Sequence, residues 1–146
     1  MNVPCFRQER NYTCAVACLR MVLAYHHQTF TEPDLAVRCQ TTEDGTTAHN
    51  VVRTAEALGF QGVILEGDLT LLEACLASEL PVITYLRTAP LADMFGFDGI
   101  HAVVVTGLDE SFVHFNDPWT GSSLACPLED FMQAWTLVSN LAILIW

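Results

Sequence analysis

From Cys14 the apolar side chains recur at Cys14, Ala17, Cys18, Met21, Val22 and Tyr25, the spacing of one face of a helix. The polar Asn11-Tyr12-Thr13 ahead of it reads as the end of a loop. The pattern therefore predicts a helix that opens at Cys14 with Thr13 as its N-cap. Thr31-Glu32-Pro33-Asp34 predicts a second helix, with Thr31 as cap and Pro33 in the first turn. Residues 41–47 form a turn-rich loop containing Asp44-Gly45, residues 48–58 a third helix closed by Gly59, and residues 61–65 a short strand. Asp68 is the expected cap of a fourth helix over 69–79, and Pro81 precedes a strand at 82–86.

Residues 88–100 have no clean period. They place Met94, Phe95 and Phe97 on a loop with two glycines, which suits either a lid or substrate wall, or aromatics folded back onto the core. Beyond them the period becomes that of strands. Residues 101–107 and 112–116 read as a hairpin around Leu108-Asp109-Glu110-Ser111. A turn at Asp117-Pro118-Trp119-Thr120-Gly121, a strand at 124–126, a short helix at 128–135 and a last strand at 141–146 complete the chain. Helices first and an antiparallel sheet second is an α+β arrangement.

With 146 residues, half of them hydrophobic, the chain fits a single domain, 1–146, with a core of its own. Six Arg, no Lys and seventeen acidic residues give a net charge of −11. Such a surface repels phosphate and argues against nucleic acid or an anionic membrane as a partner. The opening residues have no basic region followed by an apolar run, so no secretory signal is expected. The longest apolar runs, 102–105 and 141–146, are far shorter than the roughly 20 residues a membrane helix needs. A soluble, cytoplasmic chain is the expectation.

Six cysteines stand at 5, 14, 18, 39, 75 and 126. None forms a Cys-x-x-Cys pair. Cys14 and Cys18 have no second pair to complete a zinc site, so neither a metal nor another cofactor is expected. Five of the thiols read as small buried hydrophobes in a reducing compartment. Cys14 reads differently. A helix N-terminus favours a thiolate, because free N–H groups and the helix dipole point at the sulfur.

A thiolate nucleophile needs a general base, and His is the residue that titrates near neutrality. His101 opens the most hydrophobic strand, and Asp117 lies at the end of the neighbouring hairpin strand. Antiparallel pairing brings those two ends together, where an Asp can orient the imidazole and stabilise its charged form. Gln8, six residues before Cys14, supplies an amide able to donate to a developing oxyanion alongside the Cys14 backbone N–H.

At these residues the chain resembles the bacteriocin-processing, double-glycine cysteine peptidases, which have a papain-like fold. The likeness is carried by Gln8-x5-Cys14-Ala15-Val16-Ala17-Cys18-Leu19-x-Met21-Val22-Leu23-x-Tyr25, by Asp44-Gly45-Thr46-Thr47 with Ala55-x3-Gly59, by His101-Ala102-Val103-Val104-Val105-x-Gly107, and by Asn116-Asp117-Pro118-x-x-Gly121. Four motifs in order are far more specific than one. The resemblance implies N-terminal helices packed on an antiparallel sheet and a peptide or protein substrate. It implies Cys14 as nucleophile, His101 as base and acid, Asp117 as orienting residue and Gln8 in the oxyanion hole. It also raises an exporter as a partner, since the best-known members are N-terminal domains of exporters. Where the family has Gly after the nucleophile, this chain has Ala15, whose methyl group is expected to narrow the cleft or alter the peptide's approach. The alternatives are a catalytically silent peptide-binding module on the same fold, and a related amidase or transpeptidase. Degenerate relatives lose the nucleophile, and this chain keeps it.

Overall fold

The structure, a computed structural model, describes residues 1–146. Five helices and six strands follow one another: α1 (Cys14–Tyr25), α2 (Glu32–Arg38), α3 (Ala48–Ala57), β1 (Gly62–Glu66), α4 (Leu69–Ala77), β2 (Val82–Arg87), β3 (Ile100–Leu108), β4 (Phe112–Asp117), β5 (Ser122–Pro127), α5 (Leu128–Thr136) and β6 (Leu141–Ile145). Each lies within two residues of its sequence-predicted position. Thr31, Thr47 and Asp68 cap α2, α3 and α4, accepting from the backbone N–H three residues on. Thr13 is the N-cap residue of α1 as expected, but its side chain makes no capping bond; its hydroxyl bonds Arg10 and Glu32 instead.

All strands pair antiparallel, in the order β1-β6-β2-β3-β4-β5. The C-terminal strand β6 is therefore inserted between β1 and β2. Helices cover both faces. On one side α1, α2 and α3 pack against Ile83, Tyr85, Ala102, Val104, Ile143 and Ile145. On the other, α4 and α5 pack against Val82, Leu86, Val103, Val105, Phe115 and Ala142. Successive residues of a strand point to opposite faces, so β3, buried on both sides, is apolar at every position from Ala102 to Val105.

Helix α1 buries eight of its twelve residues and lies against β3. Removing so much apolar surface, at about 25 cal/mol per Å², fixes the helix axis and with it the place of its first residue. Ala15 is only 3% exposed and belongs to this packing. Its methyl group is packed into the core.

The segment 88–100 folds back rather than standing off as a lid. Thr88, wholly buried, donates its hydroxyl to the Phe97 carbonyl at 2.6 Å and accepts from the Gly99 N–H at 3.0 Å. Its own N–H bonds the Gly99 carbonyl at 2.9 Å. Arg87 and Asp98 close the loop with a paired contact at 2.9 and 3.2 Å. Phe95 and Leu91 are buried as a result.

Candidate active site

Asp117 ends β4 with no exposed surface, and His101, 2% exposed, follows the first residue of β3. The pairing of Val104 with Asn116 sets the register that brings their side chains together. His101 Nε2 lies 2.6 Å from Asp117 Oδ1. The Asp117 carboxylate is further held by its own turn. Oδ1 accepts from the Trp119 N–H at 3.0 Å, and Oδ2 accepts from the Thr120 N–H at 3.0 Å and the Thr120 hydroxyl at 2.8 Å. Gly121 makes that turn possible: its φ is +71°, and a Cβ there would come within 2.8 Å of Arg7 Cβ.

Cys14, half-buried, presents its sulfur to the same imidazole. Because Nε2 is taken by Asp117, Nδ1 is the ring nitrogen left for the thiol. Burial opposes ionisation of Cys14, but the His101 hydrogen bond and charge, with backbone hydrogen bonds from Ala102 and Ala15, outweigh it and hold the thiol below its ordinary value. The imidazole responds in kind. Burial pulls it down, while hydrogen bonds to Asp117 and Cys14 push it up to about 9. For Asp117, burial is outweighed by His101, Thr120 and Trp119, so the carboxyl stays below the usual carboxylate range. All three directions favour the charged forms: thiolate, imidazolium and carboxylate.

Aromatic rings close the imidazole off from solvent. Phe95 meets His101 edge-on with centroids 5.2 Å apart, and Phe97 does so at 5.7 Å. Trp119 packs on Phe97 at a tilt, with centroids 4.8 Å apart, and stays 38% exposed. The shield over the His101–Asp117 contact is thus supplied first by the loop before β3, with Trp119 as its outer layer.

Gln8 lies on an irregular N-terminal segment that is strapped across the sheet. Asn116 Nδ2 donates to the Val3 carbonyl at 2.9 Å, and the Gln8 N–H donates to the Pro118 carbonyl at 2.8 Å. The Gln8 side chain is 9% exposed. Its Nε2 donates one hydrogen to the Arg10 carbonyl at 2.7 Å, and its Oε1 has no partner. The carbonyl partner fixes which end of the amide is nitrogen and leaves the second amide hydrogen free. Beside Gln8 and Trp119 a groove of about 200 Å³ is also lined by Arg7, Glu9, Arg10 and Asn11.

The four residues singled out in the sequence thus sit on α1, β3, the end of β4 and the strap. Of the four, Cys14, His101 and Asp117 form one connected chain, and Gln8 is tied to the loops on either side of it. Sequence reasoning missed Asn116 and Thr120, which hold the strap and the carboxylate. It also missed Cys5, whose sulfur lies 3.9 Å from the Asp117 carbonyl oxygen. Only the polar Asn116-Asp117 pair ending an apolar strand hinted at the first.

Residues 2–146 match the peptidase C39 family. The transport/processing ATP-binding protein ComA of Streptococcus pneumoniae is 35% identical over 127 residues, which cover 86% of this chain and 17% of that protein. The mesentericin-Y105 transport/processing ATP-binding protein MesD of Leuconostoc mesenteroides is 27% identical over 143 residues, covering 85% of this chain and 19% of that protein. The chain thus spans less than a fifth of the length of these relatives. In shape, the peptidase domain of Streptococcus ComA superposes with a TM-score of 0.81 at 23% identity, over 99% of this chain and 98% of that one. A double glycine motif protease from an AMS/PCAT transporter, crystallised with a leader peptide, superposes with a TM-score of 0.79 at 23% identity, over 99% and 91%. Both share the fold described above. No helix of the chain is long and apolar enough to cross a membrane.

Proposed function

The chain belongs to the peptidase C39 family, and from that premise we propose that its 146 residues act as one cysteine peptidase domain whose catalytic residues are Cys14, His101, Asp117 and Gln8. The observation that carries this reading is the Cys14–His101–Asp117 chain, with its 2.6 Å ion pair and a thiol held below its ordinary value.

The Cys14 thiolate attacks the carbonyl carbon of the scissile peptide bond. A C–S bond forms and the carbonyl π pair moves onto oxygen. Gln8, through its free Nε2 hydrogen, and the Cys14 backbone N–H donate to that oxyanion. The C–N bond then breaks, and His101 Nδ1 gives its proton to the departing nitrogen. Water attacks the thioester, His101 takes the water's proton, and the C–S bond breaks to return the thiolate. Asp117 keeps the ring oriented and its positive charge paired throughout. The same acyl-enzyme passes to an amine nucleophile in a transpeptidase, and hydrolysis is the reading adopted here.

The substrate proposed is a peptide cut after two glycines. It rests on the relatives, one of which is described as a double glycine motif protease bound to a leader peptide. ComA and MesD are described as transport/processing proteins, so an exporter is the partner proposed. The cytoplasm is the proposed compartment, because a reducing milieu keeps Cys14 and its five companions as the free thiols seen here. The test is cleavage of a peptide that contains Gly-Gly between a leader-like helix and a cargo, read by mass spectrometry. Release of a fragment ending in Gly-Gly by the parent chain, and none by Cys14→Ala, is the result expected.

A further inference from the structure

Glu32, in the first turn of α2, is 2% exposed and takes no part in the reaction just described. Its Oε2 accepts from the Glu9 N–H at 2.8 Å and lies 3.1 Å from the Thr13 hydroxyl, while its Oε1 has no partner. It borders a concavity of about 300 Å³ between α2 and the loop that leads into α1. Both of its donors lie on that loop, between Gln8 and Cys14.

The Thr13 hydroxyl accepts from the Arg10 N–H at 3.1 Å. It has one proton and two acceptors within reach: Glu32 Oε2 at 3.1 Å and the Arg10 carbonyl at 3.0 Å. A carboxylate is the stronger acceptor and takes the proton. The same Arg10 carbonyl is the anchor of the Gln8 amide, at 2.7 Å.

We propose that Glu32 is a positioning residue for Gln8: by taking the Thr13 hydroxyl proton and the Glu9 N–H, it pins the loop that carries the Arg10 carbonyl, the acceptor of the Gln8 amide, and so holds that amide's second hydrogen in place for the oxyanion. Without the carboxylate, the Glu9 N–H loses its acceptor and the Thr13 hydroxyl is left with the Arg10 carbonyl alone, so the loop that anchors the Gln8 amide loosens. Burial pushes the Glu32 carboxyl above its ordinary value, and the bonds from Glu9 and Thr13 act against that push. The proposal rests on the reading of Gln8 as an oxyanion donor.

The test is a double-mutant cycle in the full chain, with Glu32→Leu and Glu32→Gln each made with and without Gln8→Ala, on a fluorogenic peptide ending in Gly-Gly. Glu32→Leu is expected to lower kcat about tenfold and to move KM by less than about twofold, the pattern of a group acting only in the transition state. Glu32→Gln, whose amide oxygen replaces Oε2 as acceptor, is expected to bring kcat back to within about threefold of the parent. In the Gln8→Ala background, Glu32→Leu is expected to cost nothing further. A second readout is independent of turnover: the Gln8 side-chain amide signal in a ¹H–¹⁵N spectrum shifts in Glu32→Leu. Equal losses with and without Gln8, or a Gln8 signal that stays in place, overturn the proposal. Failure of the parent chain to cleave the peptide overturns the reading of function instead, and the amide signal still decides the role of Glu32. Should Glu32→Leu not fold, Thr13→Val, which removes one of the two bonds that tie Glu32 to the loop, enters the same cycle, with a smaller loss of kcat expected in the parent background and none in the Gln8→Ala background.

Discussion

Asp117 Oδ1 stands 2.6 Å from His101 Nε2, and the carboxylate that makes this contact is already saturated by Trp119 and Thr120. A carboxylate held in this way cannot swing to solvent, so the imidazole is fixed in the orientation that leaves Nδ1 to Cys14. Replacing Asp117 by Asn preserves an oxygen acceptor and removes the charge. Replacing it by Ala leaves the Trp119 and Thr120 donors without their partner. Asp117→Asn should therefore lower kcat/KM less than Asp117→Ala, and Asp117→Ala should in addition cost about 1–3 kcal/mol of stability. Both should retain more activity than Cys14→Ala, which removes the nucleophile. Steady-state kinetics and urea unfolding of the three variants check the order.

The pH dependence follows from the thiolate–imidazolium pair. Activity should rise through a Cys14 ionisation below the ordinary thiol value and fall as His101 loses its proton near 9. Stability should behave differently. A raised His101 stabilises the fold fully below its ordinary 6.5, and that contribution is lost as pH rises towards about 9. A lowered Cys14 stabilises fully above its ordinary 9.0, and that contribution is lost as pH falls. Between the two ordinary values the His101 contribution falls and the Cys14 contribution rises with pH, so the two oppose each other. Asp117, lowered from 3.8, loses its contribution only as pH falls through its folded-state value. Scanning calorimetry should find the melting temperature falling in acid, as Asp117 loses its contribution, while kcat/KM traces a bell.

The positions of Cys14, His101 and Asp117 were legible because each stands where two simple patterns meet. A 3.6-residue period opens at Cys14, and an apolar strand and its hairpin partner bring His101 and Asp117 to one edge. What was not legible depends on contacts far apart in sequence. Residues 3–10 have no period, and their place is set by Asn116 reaching Val3 and by Gln8 meeting Pro118. The insertion of β6 between β1 and β2 leaves no trace in either strand's own pattern. Residues 88–100 leave a lid and a folded-back loop equally open in the sequence, because nothing local shows that Thr88 will meet Phe97 and Gly99. Thr13 takes the N-cap position that propensity favours, but the partner of its hydroxyl is not legible locally: Glu32, nineteen residues away, offers it a charged acceptor.

Thr88 tests whether the folded-back loop matters for the chemistry. Thr88→Val removes the hydroxyl that joins Phe97 and Gly99, which should cost about 1–3 kcal/mol. It should also loosen Phe95 and Phe97 from His101, admit water to the His101–Asp117 contact and lower kcat/KM. Thermal melts and kinetics on the same preparation check both effects.

Gly121→Ala should be more damaging than its size suggests. The residue has φ +71°, and the new methyl group meets Arg7 Cβ at 2.8 Å. A loss of about 1–3 kcal/mol is expected for strain of this kind, with activity falling as the Asp117 turn and the Arg7–Gln8 strap are pushed apart. Urea denaturation measures the first and peptide cleavage the second.

Cys18 stands one turn beyond Cys14 and is wholly buried, with burial pushing its thiol well up. Cys18→Ala should leave kcat unchanged and lower stability by about 1 kcal/mol for the small cavity it opens. Loss of turnover in this variant, with Cys14→Ala unaffected, would reverse the assignment of the nucleophile.

Covalent labelling bears most directly on the central claim that Cys14 is the activated nucleophile of a peptidase. The full chain is incubated at neutral pH with a thiol-reactive peptide electrophile ending in Gly-Gly, digested and sequenced by mass spectrometry. The account predicts a single adduct on Cys14, absent from Cys14→Ala and slowed in His101→Ala. An adduct on Cys5 in preference to Cys14, or a Cys14 that reacts no faster than a free thiol, would contradict it.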